Sequence, residues 1–152
     1  MTRPDFVTMI LIDCTRDALW EALTTGAVQQ RFHFAAGRID GRLATPGDTL
    51  VIRAPDGSPM VTNGLVSIDP RDRIEITFQP HWAPDLTASR AVYLLEDQPT
   101  GMKLTVEHFD IPAGQEGIGD GWARFVSGLK TWLETGRAHR FTTPARAARE
   151  MA

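Results

Sequence analysis

The sequence predicts an α+β domain in which a curved antiparallel sheet of about six or seven strands wraps around one long C-terminal helix. Three observations lead there. Short β-rich runs separated by turn residues fill the middle of the chain. Two short helical segments follow the first such run. The longest helical periodicity comes last, from Ile118 to Leu133.

Phe6 to Asp13 is apolar and rich in β-branched residues, which marks a first strand. Thr15 or Asp13 can cap the helix that follows, and Asp17 suits its positive end. Ala18, Leu19, Ala22 and Leu23 recur at helical spacing, placing that helix over Thr15 to Thr24. Gly26 breaks it, and a second short helix follows over Ala27 to Phe32. Thr49 to Arg53 and Met60 to Ile68 are strands set off by Pro46-Gly47-Asp48, by the run Pro55 to Pro59 and by Asp69-Pro70. From Arg73 to Gln79, Ile74, Ile76 and Phe78 share one face while Arg73, Glu75 and Thr77 share the other. Gln79 to Leu86, with two prolines, is a loop. Ser89 to Glu96 and Met102 to Phe109 form a hairpin, in which Leu104, Val106 and His108 share a face. Pro112 to Gly117 is a polar, glycine-rich loop. Ile118, Trp122, Phe125, Val126, Leu129 and Leu133 then form the apolar stripe of a helix that Gly136 closes. That stripe must be buried, and the concave face of the sheet is the one large surface available for it.

Bulk properties restrict the function. At 152 residues, 42% hydrophobic and 23% charged, the chain suits a single soluble domain with a sizeable core. No apolar run approaches the roughly 18 residues that span a bilayer, and the start has no secretory pattern. One cysteine, Cys14, rules out an intramolecular disulfide and a cysteine-rich zinc site. Together these point to the cytoplasm. A net charge of −3, without basic residues interleaved with aromatics, argues against nucleic-acid or membrane partners. The end of the chain is basic, with Arg137, Arg140, Arg146 and Arg149 against Glu150, and reads as a solvated or loosely docked tail.

Four stretches, in order, resemble a known superfamily. Ile12 to Trp20 (IDCTRDALW) is similar to an "I-x-A-P-x-E-x-V-W" strand-to-helix junction. Gly64 to Pro70 with Arg73-Ile74 is similar to "G-x-V-x-E-I-x-P…R-L", and Leu104 to His108 to "L-x-L-x-H". Gly121-Trp122 with Leu129-Lys130 and Leu133 is similar to "G-W…L…L-K…L" in the terminal helix. The chain thereby resembles the SRPBCC (START/Bet v-like) superfamily, in the branch named after activators of the heat-shock protein 90 ATPase. The resemblance implies the helix-grip (START-like) fold over residues 1–136, leaving 137–152 as a basic tail. Cys14 and Thr15 depart from the usual Ala-Pro, and Arg31-Phe32 replaces a tryptophan common at the end of the second helix. The superfamily hosts many activities, so the fold does not fix one.

A cavity between sheet and terminal helix is the expected site. His108 shares the face of Leu104 and Val106; it is either a ligand-contacting or proton-transferring histidine or, the favoured reading, one tied to its neighbours. Tyr93, beside Ala91 and Leu95, carries a hydroxyl that would need a partner, a ligand or water, or packs in the core. Trp82, between Pro80 and Pro84, suits a hydrophobic rim. Gly128 marks either close helix packing or room for a ligand, since glycine costs about 1 kcal/mol in a helix. Trp132 lies one turn on, while Trp122 anchors the helix. The expected ligand-binding set is therefore His108, Tyr93, Trp82, Phe78, Trp122, Phe125, Gly128 and Trp132. His33 and His81 fall near the cavity mouth without the spacing of a metal pair, and no cofactor is implied. No nucleophile elbow, phosphate loop or dinucleotide fingerprint occurs, and Cys14 reads as a packing thiol. The favoured function is binding of a small hydrophobic or amphipathic molecule. The alternatives are a polyketide cyclase- or dehydratase-like enzyme using His108, and a chaperone-interacting protein. The last is weakened because such cochaperones resemble this chain in one domain only. An exposed strand edge or the terminal region could support a homodimer.

Overall fold

The computed structural model describes residues 2–69, 71–115 and 117–144. Strand β1, Phe6–Ile12, alternates as its sequence dictates, with Val7, Met9 and Leu11 outward and Ile12 in the core. Helix α1, Arg16–Thr24, starts at Thr15, whose hydroxyl accepts from the Ala18 N–H at 3.1 Å and so satisfies one orphan donor. Its buried side is Leu19, Ala22 and Leu23, the residues at helical spacing. Helix α2, Gly26–Gln29, begins one residue earlier and ends three residues sooner than the sequence suggests. The chain goes on turning through His33, held by the Arg31 N–H to Val28 and the His33 N–H to Gln29. A Cβ on Gly26 would lie 2.5 Å from the Ile39 carbonyl oxygen, so only glycine allows α2 this close to the next strand.

Strands β2 (Arg38–Gly41), β3 (Thr49–Arg53), β4 (Pro59–Asp69), β5 (Arg73–Pro80), β6 (Ser89–Asp97) and β7 (Met102–Phe109) follow. They form one seven-stranded sheet in the order β1-β7-β6-β5-β4-β3-β2, antiparallel throughout. The two short helices carry the chain from β1 to the far edge. A meander then brings β7 back beside β1, in register from Phe6 opposite His108 to Ile12 opposite Met102. Register shifts in β4 between Leu65 and Ser67, and in the β3–β4 pair after Ile52, add bend to one half of the sheet. This is the α+β helix-grip fold.

Helix α3, Ile118–Thr135, lies in the concavity, and its Trp122, Phe125, Val126 and Leu129 join the core with Ile74, Ile76, Leu104 and Val106. Gly136 ends it in the left-handed conformation, φ 71°, returning its N–H to the Trp132 carbonyl. The C-terminal half is fastened to the end of β1. Lys130 Nζ donates to the Leu11 carbonyl at 2.6 Å, and the Glu134 carboxylate accepts from the Asp13 N–H at 2.8 Å. No described helix is long and apolar enough to cross a membrane.

Residues 137–144 run back along α3. The Arg124 guanidinium donates to the Phe141 and Thr142 carbonyls, and Arg140 donates to the Ala36 carbonyl at 2.7 Å. This part of the basic tail is thus held by several hydrogen bonds, while Arg146, Arg149 and Glu150 lie outside the described residues.

Gly128 sits where α3 crosses the segment after α2. A Cβ there would approach the Phe32 carbonyl oxygen to 2.7 Å. Of the two readings of this glycine, close packing describes its surroundings. Gly128→Ala should therefore destabilise the fold by about 1–3 kcal/mol, because a buried backbone carbonyl must move, outweighing the helix propensity gained. A fall in the urea midpoint at unchanged slope is the expected reading.

Candidate functional site

A cavity of about 440 Å³ opens beneath the N-terminal half of α3, where the helix stands over the bent part of the sheet. Trp122, Phe125, Ile118 and Gly121 of α3 form its roof, and Phe78, Tyr93, Asn63 and Val61 of the sheet form its floor. His33 and Phe34 close one side. Met60, exposed Trp82 and the glycine-rich loop with Gly114 and Gln115 border it as well, and Thr143 of the returning segment joins the wall.

The expected site residues divide into two groups. Tyr93, Trp82, Phe78, Trp122 and Phe125 line the cavity. His108, Gly128 and Trp132 are placed elsewhere. Gly128 faces the Phe32 carbonyl, and the Trp132 ring packs beneath the Arg31 guanidinium at 5.5 Å. His108 is wholly buried behind Trp122. Strand alternation gave it the correct face, but the indole of Trp122 lies over that position.

The bonds around His108 define its protonation. The Trp122 Nε1–H donates to His108 Nδ1 at 2.9 Å, so Nδ1 must be bare. The proton is then on Nε2, which donates to Ser89 Oγ at 2.7 Å. Ser89 in turn reaches the Phe78 carbonyl at 3.5 Å. Protonating Nδ1 would set one N–H against another in a fully buried site. Burial pushes the pKa of His108 down from 6.5 to about 4, opposed only weakly by Asp5. With both nitrogens engaged and no cavity surface, His108 positions Trp122; it has no position from which to transfer a proton to a cavity ligand.

Tyr93 has the opposite character. Only 3% exposed, it meets Trp122 edge-on with ring centroids 5.8 Å apart. Its hydroxyl makes no hydrogen bond to a described residue, and burial raises its pKa. Among the described residues only Thr25 Oγ1 is a fully enclosed side-chain polar atom lacking a partner, so the Tyr93 hydroxyl keeps access to the cavity.

Three buried polar residues on the wall were not in the expected set. Asn63 donates to the Thr77 carbonyl at 3.3 Å and Gln29 to the Ala22 carbonyl at 3.4 Å. His33 Nδ1 accepts from the Ala35 and Ala36 N–H groups at 3.1 and 3.2 Å, and its ring stacks on Phe34. Asn63 left a readable signal, a polar residue alternating with Val61 and Leu65 on an apolar face. His33 was expected near the cavity mouth from its loop position, while Gln29 left no signal, since α2 is too short to show a period.

His81 bonds Thr62 at the surface. No group of three or more potential metal ligands occurs among the described residues. Cys14 is half-buried, and burial, with Asp13 and Glu134 nearby, pushes its thiol up to about 11, the reverse of an activated thiolate.

The family described as activator of Hsp90 ATPase homolog 1-like protein matches residues 13–134. The chain belongs to that family. No curated protein matches it. Among solved structures it is similar to the Aha1 dimer from Colwellia psychrerythraea, at 18% identity and TM-score 0.73, covering 88% of this chain and 98% of that one. It is also similar to PFC0360w, an HSP90 activator from Plasmodium falciparum, at 15% identity and TM-score 0.72, covering 84% and 94%. Protein MLL2253 from Mesorhizobium loti aligns at 22% identity and TM-score 0.71, covering 84% and 95%. At these identities the likeness establishes the fold of the family and not a shared ligand.

The His108 arrangement gives a pH signature. Between pH 6.5 and about 4 the unfolded chain binds a proton at this histidine and the folded chain does not. Stability is therefore full above pH 6.5 and falls as pH drops towards 4, by up to about 3 kcal/mol from this group. Urea unfolding across that range should show the slope in the native chain, and His108→Gln should remove its share.

Proposed function

We propose that this protein binds a small hydrophobic or amphipathic molecule in the cavity beneath α3. The reading rests on an aromatic-walled cavity of about 440 Å³ that contains a buried hydroxyl, Tyr93, with no partner among the described residues. The volume is within the usual range for small-molecule sites, roughly 300–1,000 Å³, and apolar walls with a few polar groups are their usual lining. The bound state would remove apolar wall from water at an estimated 25 cal/mol per Å². Tethering of His108 to Trp122 and Ser89 withdraws the group on which a cyclase- or dehydratase-like mechanism would depend. A chaperone partner draws on the family description alone.

A thermal-shift screen with lipids, aromatic polyketides and plant-type phenolics should find ligands that stabilise the fold, by about 2.7 kcal/mol at a hundredfold excess over Kd. Gly121 offers a matched control. A Cβ there meets only the Phe34 ring edge, at an ordinary 3.5 Å, so a larger side chain enters the cavity without disturbing the core. Gly121→Leu should keep or raise stability while weakening binding about tenfold or more. Equal binding by the variant, or no stabilising ligand in the screen, would count against the reading.

A homodimer is part of the same proposal. It is supported by the dimeric relative from Colwellia psychrerythraea and by the outward Val7, Met9 and Leu11 on edge strand β1, which carries no charged residue to discourage pairing. Light scattering should give twice the 16.8 kDa chain mass, and Met9→Lys should restore the monomer.

A further inference from the structure

We propose that the cavity selects neutral aromatic molecules bearing a hydrogen-bond-accepting oxygen, with the Tyr93 hydroxyl as the donor to that oxygen, and that it rejects carboxylates of the same shape. This rests on the cavity being a ligand site, and it narrows the chemistry of the occupant.

The argument begins with charge. Among the described residues no lysine or arginine lines the cavity, and the one formally charged wall residue is Asp120 in the first turn of α3. A helix N-terminus would ordinarily favour an anion, but here Asp120 already places a negative charge on that turn, with its carboxylate held by Arg124 Nε at 2.8 Å. The other buried polar groups work in the same direction. Asn63 and Gln29 are neutral: each commits one amide N–H to a backbone carbonyl and keeps a second N–H and an acceptor oxygen, without positive charge. The Trp122 N–H is directed away, to His108. A carboxylate entering this space would lose its hydration and meet Asp120 with no lysine or arginine among the described wall residues to offset its charge, an arrangement that is costly in a low-dielectric interior.

The donor comes next. Tyr93 is almost fully buried, lines the cavity and has no described partner for its hydroxyl. A buried hydroxyl left unmade costs free energy, so the group favours an occupant that accepts from it. Burial keeps the phenol protonated, and hence a donor, through neutral and alkaline pH. Aromatic shape follows from the walls. Phe34, Phe78, Trp82, Trp122 and Phe125 surround the space, and the Tyr93, Trp122 and Phe125 rings already meet one another edge to face. A flat ring completes such contacts better than a flexible chain, which must lose rotamer freedom to fit.

Three probes of one shape separate the terms: 2-acetylnaphthalene, neutral with a carbonyl acceptor; 2-ethylnaphthalene, neutral without one; and 2-naphthoate, anionic. Binding is measured by equilibrium dialysis at pH 7.5 on the native chain and on Tyr93→Phe, which removes the hydroxyl alone. The ketone is expected to bind the native chain about three- to tenfold tighter than the hydrocarbon, the worth of one neutral hydrogen bond. In Tyr93→Phe that advantage should vanish while 2-ethylnaphthalene binds as before. The carboxylate should bind about tenfold or more weaker than the ketone. A carboxylate as tight as the ketone overturns the proposal. So does a ketone no better than the hydrocarbon on the native chain, a result independent of how the variant folds, or a ketone advantage that survives in Tyr93→Phe. If 2-ethylnaphthalene binds and the ketone gains nothing, the selectivity fails and the cavity remains a binding site. If none of the three binds, both fall.

Discussion

The hydrogen bond from Trp122 Nε1 to His108 Nδ1 is the contact on which the interior is organised. It joins the terminal helix to β7 across the core and fixes how deeply the indole sits. It also fixes which way the indole faces, with its only donor turned into the sheet and its apolar ring turned to the cavity. The Trp122 ring then receives Tyr93 and Phe125 edge-on, and the cavity roof is set. Because His108 can accept this bond only when neutral, burial and tautomer support each other. A buried polar chain of this kind, complete from indole through imidazole to hydroxyl, stabilises one arrangement of the helix over the sheet; a half-complete chain would cost more than an apolar core.

The cavity exists because the two halves of α3 meet different surroundings. The C-terminal half is fastened to the end of β1 by Lys130 and Glu134, and Gly128 allows it to press against the chain at Phe32. The N-terminal half stands over strands that register shifts have bent away, and Gly121 contributes little volume there. The gap that remains is bounded by rings already in contact with one another. Among the described residues its walls carry no lysine or arginine, so shape and neutrality are the properties they can discriminate.

Much of this was legible in the sequence. Period-two alternation placed Ile74, Ile76, Tyr93, Leu104 and His108 on the concave face, and the stripe from Ile118 to Leu133 identified the helix that covers it. The family motifs fell in the right order along the chain. What alternation could not supply was depth. It says that His108 and Tyr93 share a face, but not that Trp122 lies over one and leaves the other open. That difference is set by where a helix crosses a curved sheet, a tertiary quantity with no local signature. The same limit hid Gln29, which reaches the wall from a one-turn helix whose path is fixed by Gly26 and by contact with β2. The returning segment 137–144 was equally obscure, because its attachment is by carbonyls, to Arg124 and Arg140, and not by an apolar pattern.

The pairing of β1 with β7 has a consequence for how the molecule comes into being. In the described sheet β1 pairs with β7, so Phe6 meets His108 after the other strands of the sheet have been made. Pairings this distant in sequence slow folding, since loop closure must precede the contacts that reward it. During synthesis from the N-terminus, β1 emerges early and waits as an apolar ribbon until the seventh strand has left the ribosome. Closure of the sheet, and with it the seating of α3, is therefore a late event, and the cavity can form only once β7 and α3 have both emerged.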